Sequence, residues 1–386
     1  MEPERQTKTQ RAEQEDHLTG AMSVAPETAP DGRELHDLYW VIFGPQGIRT
    51  GWLVLLFYCL YRFFLYILGG FAYAAAPSFF RYGVSPLRVA VGELVPFFAM
   101  LAAGAVMLRL EPRKPADYNL RDSRALPHFF SGVAIGFLAL STLVGLLALG
   151  GWLHFGPKAL SGSRIFAYGL IWAFAFLLVG FVEEGTFRCY GQWTLTRGIN
   201  FWWALALVSG FCLYAYVFIH NEGTFGVYVA AAAGLFPCLL LHLKKAESSK
   251  FWQAAWATST GFGFVHTFNA GENWIGIFTA ALIGFVFCVS IWVTRSAWWA
   301  IGCHAAWDWA ETYFYGTADS GLVAPGHLLR TWPAGNPLWS GGTDGPEGSL
   351  LIIPVVLLML AWLLVVYRRP RPGQVHTLTG TEQLTG

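Results

Sequence analysis

About ten apolar segments run along this chain, each near the length that crosses a bilayer: 51–75, 89–108, 129–150, 165–187, 202–219, 224–243, 252–268, 274–293, 297–315 and 350–367. A hydrocarbon core about 30 Å thick needs about 20 helical residues at 1.5 Å each. Within it, every backbone N–H and C=O must be satisfied inside the protein. The fold class expected is therefore all-α: a polytopic membrane helical bundle with about eight to ten transmembrane helices. Only 13% of residues are charged, about half the share in soluble chains. The net charge of +1 gives no reason to expect a nucleic-acid or acidic partner. The 18 Trp and 15 Tyr suit interfacial belts.

The segment 1–36 is charged and has no apolar core, so it reads as a disordered cytoplasmic lead and not as a signal peptide. Residues 37–369 then form one transmembrane domain, and 370–386 a cytoplasmic tail. The six cysteines are scattered among apolar segments without CxxC spacing and read as small packing residues. Basic residues set the orientation. They gather in 109–128 (Arg109, Arg113, Lys114, Arg121, Arg124), in 244–250 (Lys244, Lys245, Lys250) and at Arg368, Arg369 and Arg371. With ten spans these fall on one side, which places both termini in the cytoplasm; the expected location is the plasma (inner) membrane. Arg81 and Arg88, in the first outer loop, dissent. The outer loop 316–349 is rich in Gly and Pro, and Gly341–Gly348 reads as tight turns. A cap over the outer face and an inert ordered connector both remain open for it.

Three ionisable patterns break the apolar runs: Glu183-Glu184-x-x-x-Arg188, Phe262-x-x-x-His266 and His304-x-x-x-Asp308. A charge at bilayer depth costs about 2.5–3.5 kcal/mol on insertion scales, so these groups must be paired, hydrated or used. The i,i+4 spacing puts both members of each pair on one helix face. Glu184 and Arg188 can form an intrahelical ion pair. Glu183, about 100° around the helix, is the freer carboxylate. A glutamate in a water-poor cavity holds protons more tightly, which suits a general base that takes a proton from water and returns it to a leaving amine. His266 can share that water, His304 can donate to a developing oxyanion, and Asp308 can orient the imidazole. A structural ion pair and structural membrane histidines explain each pattern singly. The combination on three membrane helices favours chemistry in a cavity.

The ordered set resembles the CAAX protease and bacteriocin-processing family, also called the Abi or Ras-converting-enzyme-like family of intramembrane endopeptidases. The resemblance covers a core of about 165–315, in which the Asn269-x-Gly271-x-Asn273 turn fits as well. It implies an α-helical fold with a conical catalytic cavity and cleavage near the C-terminus of a membrane-associated protein or peptide, prenylated CAAX proteins in eukaryotic members. It assigns Glu183 and His266 to water activation, His304 and Asp308 to the oxyanion site, and Glu184 and Arg188 to their support. It implies a glutamate mechanism with no metal or cofactor, although two His and two carboxylates have the donor types for Zn²⁺. Two features depart from the family. The interval between the first two motifs is long, as if a helical hairpin at 205–250 were inserted. His220 and His242, in that interval, are read as decoys. Asp308 stands where Asn is usual, and an ionised Asp cannot donate to an oxyanion. Either it is protonated or it only orients His304. A metal-dependent protease and a non-enzymatic transporter or partner protein are the alternatives. With the segment bounds above, Glu183 lies near the cytoplasmic end of its helix and His266 near the outer end of its own.

Overall fold

The computed structural model describes residues 41–367 apart from 45–46, 82–83, 112 and 270. The lead 1–36, the tail 370–386 and the basic Arg368, Arg369 and Arg371 lie outside the described residues. The chain divides into two units, Met1–Arg49 and Thr50–Gly386. In the first, Phe43–Gly44 (β1) pairs antiparallel with Gly47–Ile48 (β2). The second is an all-α polytopic bundle.

All ten apolar segments fold as helices: α1 Thr50–Ala75, α2 Pro86–Leu110, α3 Ala125–Leu149, α4 Ser163–Gly198, α5 Phe201–Ile219, α6 Thr224–Leu243, α7 Ser249–His266, α8 Trp274–Thr294, α9 Trp298–Asp308 and α10 Ile352–Val366. Seven of them, α1–α6 and α8, are long and apolar enough to cross a membrane. Helices α7 and α9 carry more polar residues because neighbours enclose them. In α7 every residue from Gln253 to Gly263 is buried. The outer surface is apolar instead: α1 buries only Leu53 and Phe57 and exposes Phe63, Tyr66 and Phe71. Such a surface suits a lipid solvent.

Helix α9 is clamped between α3 and α4 by small residues. A Cβ on Gly132 would overlap the Trp299 backbone, one on Gly136 the Cys303 backbone, and one on Gly302 the Phe129 carbonyl. Gly132-x-x-x-Gly136 thus acts as a small-xxx-small face that lets two backbones touch. On the other side, a Cβ on Gly180 of α4 would lie 3.1 Å from Ile301 O. Larger residues fill the space around this clamp: Leu140, Leu143, Phe287, Trp299 and Val356 are buried in one cluster.

Helix α4 does not stop where the apolar run ends. It continues from Gly185 to Gln192 as a π-helix and finishes in α geometry at Trp193–Gly198. It is 36 residues long, and Glu183 falls near its middle. The bound of 187 read from the sequence ended this helix too early, because the charged motif marks a change of helical pitch and not a terminus. Helix α9 changes in the same way after Asp308, continuing as the π-helix Trp309–Tyr315. Insertions of this type are frequent at functional sites.

Contacts fix the two ends of the bundle. The basic loop holds the end of α4 and the start of α9: Arg197 pairs with Glu111 at 2.8 Å, Asn119 Nδ2 donates to Arg188 O, and Ala297 N donates to Asn119 O. Asp122 accepts from Ser296 Oγ at 2.5 Å and pairs with His128 at 2.6 Å. Burial raises the proton affinity of Asp122, but these hydrogen bonds outweigh it and lower its pKa. At the opposite end the loop 316–349 is an ordered cap. Its strand Thr331–Pro333 (β4) pairs antiparallel with Leu153–Phe155 (β3). Asn273 N donates to Asp344 Oδ2, and Gly321 N to Asp344 O. Helices α5 and α6 form a hairpin against α7, with Phe211 stacked on Phe264 and Trp256 Nε1 donating to Ala231 O.

Candidate active site

His304 is the hub. Its Nδ1 lies 2.9 Å from Glu184 Oε1, so the proton on that nitrogen points to a carboxylate. Its Nε2 lies 3.7 Å from Glu183 Oε2 and 3.5 Å from Asp308 Oδ2. Orientation of the ring therefore falls to Glu184, where the sequence reading gave it to Asp308. The spacing argument could not see this, since Glu184 reaches His304 across two helices. Asp308 instead shares the Nε2 side with Glu183.

Glu184 also pairs with Arg188, Nε to Oε2 at 3.3 Å, and both side chains are fully buried. The expected face-sharing holds although Arg188 lies in the π segment. The guanidinium makes no aligned hydrogen bond; aromatic faces surround it. Its carbon sits 4.3 Å from the Phe262 ring centre, 5.5 Å from that of Phe287 and 5.6 Å from that of Phe187. Cation–π attraction of this kind is strengthened by desolvation. Gly284 of α8 leaves the room, for a Cβ there would strike Arg188 Nη2.

Phe262 is more than packing for its own helix. Besides facing Arg188 it tilts against His266, centroids 4.7 Å apart, and presents an edge to His304 at 6.0 Å. One ring thus touches a member of all three motifs. His266 Nδ1 donates to Phe262 O at 2.8 Å, because a carbonyl can only accept. Its Nε2 is left as the free nitrogen.

The extended α4 removes the depth conflict between Glu183 and His266. Helices α4 and α7 run antiparallel and meet where Arg188 covers Phe262. From that level Glu183 lies five residues back along α4, about 7.5 Å, and His266 four residues forward along α7, about 6 Å. Both steps lead toward the cap. Glu183 keeps a third of its side chain exposed, and its Oε2 accepts no hydrogen bond. Helix pairing thus gathers Glu183, Glu184, Arg188, His304 and Asp308 into one cluster with Phe262, and sets His266 beside it. His220 and His242 lie elsewhere: His220 faces Tyr216 on the hairpin loop, and His242 stacks on Phe201.

Several groups escaped the sequence reading. Glu93, at the break in α2, and Tyr61 of α1 lie within electrostatic reach of Glu183. A glutamate inside the apolar run 89–108 was the available signal. The cap contributes Glu347, whose Oε1 accepts from Trp307 Nε1 at 2.7 Å, and Asp319, which accepts from Thr312 Oγ1 at 2.8 Å. Burial is the main cause that pushes these carboxyls up, Asp319 to about 6, Glu347 to about 8 and Asp344 to about 9. Repulsion from Asp319 adds to the effect at Glu347, and from Glu272 at Asp344.

These features define an all-α integral membrane protein with a buried carboxylate–histidine cluster at the meeting of three helices. Residues 238–310 match the family described as type II CAAX prenyl endopeptidase Rce1-like. The match spans the end of α6 and all of α7, α8 and α9, with His266, His304 and Asp308, and agrees with the resemblance drawn from the motifs. No curated protein and no solved structure matches the chain.

Proposed function

We propose that this protein is an intramembrane endopeptidase that hydrolyses a peptide bond of a membrane-associated protein or peptide. The observation that carries the reading is Glu183 Oε2, without a hydrogen bond, facing His304 Nε2 beside Asp308. In the proposed reaction Glu183 takes a proton from water as the oxygen attacks the substrate carbonyl. The resulting C–O bond leaves a tetrahedral oxyanion, to which an Nε2–H of His304 donates. Glu183 then passes its proton to the amine as the C–N bond breaks. His266, its Nδ1 committed to Phe262 O, offers Nε2 to the same water. Glu184 and Arg188 hold His304 in register. The reaction needs no metal, so activity should survive chelation. The core 165–315 would form the protease proper and the hairpin 205–250 an insertion, with both termini cytoplasmic.

C-terminal peptide profiling of cells carrying wild type or Glu183→Gln tests the reading. New C-termini on membrane-associated proteins that vanish in the variant support it and identify substrates. Identical profiles, with both proteins present in the membrane, reject it.

A further inference from the structure

Beyond the motif cluster, three carboxylates converge between the cap and the continuation of α9. Glu311, Asp319 and Glu347 each offer an oxygen, and the three oxygens lie within 4.8 Å of one another. Their partners are neutral: Trp307 Nε1 donates to Glu347 and Thr312 Oγ1 to Asp319. Glu311 has none. It is fully buried, and both of its carboxylate oxygens lack a hydrogen bond. Its backbone carbonyl is already used, accepting from Thr317 N and Oγ1. An unpaired buried carboxylate aimed at two others costs several kcal/mol unless a charge offsets it.

We propose that Glu311, Asp319 and Glu347 bind one divalent, oxygen-seeking cation of the calcium class. All three donors are carboxylate oxygens, and no imidazole or thiol shares the set. That chemistry selects hard cations over Zn²⁺ or Cu²⁺. The donors come from three separate short elements, a π-helix (Glu311), a β-bridge (Asp319) and a 3₁₀ turn (Glu347). Such a framework suits the adaptable coordination of Ca²⁺ better than the strict octahedron of Mg²⁺. The cation would tie the cap at Asp319 and Glu347 to α9 one turn beyond Asp308. The cap would then be a cation-stabilised cover over the outer end of the motif helices.

Titration of the full-length, chelator-stripped protein in detergent with CaCl2 alone tests this, using calorimetry and thermal unfolding. MgCl2 and MnCl2 serve as comparators. The expected result is one Ca²⁺ per chain and a rise in Tm of about 5 °C at one hundred times Kd. Glu347→Gln should remove most of that rise, whereas Asp117→Asn, in the basic loop, should leave it intact. No heat and no shift with CaCl2 in the wild type would overturn the proposal, and the wild-type titration decides even if the variant fails to fold. An equal shift in Glu347→Gln would overturn the assigned ligands. A response to MgCl2 or MnCl2 with none to CaCl2 would overturn the calcium class. None of these readouts depends on proteolysis.

Discussion

Around His304, each carboxylate has a positive or polar neighbour. Glu184 sits between Arg188 and the His304 ring, while Glu183 and Asp308 flank the other ring nitrogen. Where the cap meets the continuation of α9, Glu311, Asp319 and Glu347 face one another. Both groups are largely removed from water and both belong to α9 or its neighbours, yet their partners come from different sources. The inner cluster draws on helices fixed by close backbone contact. The outer one depends on a loop that must itself be held in place. Charge in the inner cluster is therefore set by residues, and in the cap by what the solution supplies, protons or a cation.

The comparison predicts that the inner cluster tolerates substitution least. Arg188→Ala strands Glu184 without its cation, and breaking a buried pair costs about 3–5 kcal/mol. Thermal unfolding should show most of the folded population lost. A smaller loss would mean that neither the ion pair nor the aromatic cage around the guanidinium carries much of the stability. Gly136→Ala should come next, at about 1–3 kcal/mol, because its methyl meets the Cys303 backbone. It should also lower activity by displacing His304, although Gly136 touches no motif residue. Unchanged activity would separate the helix clamp from the site. Against the cap, Trp307→Phe removes the donor that α9 supplies to Glu347 and should cost about 1 kcal/mol, with proteolysis largely retained.

The sharpest contrast concerns Asp344. Its folded pKa of about 9 lies far above the ordinary 3.8. The folded state thus holds a proton that the unfolded chain has released, and stability falls as pH rises between those values. Asp344→Asn keeps an oxygen for Asn273 N–H and removes the titration. Its Tm advantage over wild type should be larger at pH 9 than at pH 5. A pH-independent difference would show that the cap is not held by protons there.

Much of the bundle was legible because bilayer length leaves a plain mark in sequence. The ten segments and the i,i+4 pairs Glu184–Arg188 and His304–Asp308 follow from spacing and depth, while the grouping of Glu183 with His304 rested on the ordered set of motifs. The π-helices did not, since a change of pitch after Glu184 or Asp308 has no compositional signature. Ending α4 at 187 then misplaced Glu183 relative to His266. The role of Glu184 on His304 Nδ1 needs tertiary geometry, for nothing local links residues in α4 and α9. Gly132-x-x-x-Gly136 was readable and passed over, as was Glu311, an ionisable residue one turn past Asp308. Asp319 and Glu347 were not readable, because irregular loops bring distant residues together without periodicity.

The central claim is that Glu183 activates the water. Cleavage of a substrate found by C-terminal profiling, measured in proteoliposomes under single-turnover conditions, tests it most directly. Glu183→Gln should slow cleavage by about 10²–10⁴-fold, the contribution of a positioned general base, with Tm close to wild type. A rate within about twofold of wild type would contradict the assignment and leave the cluster without its base.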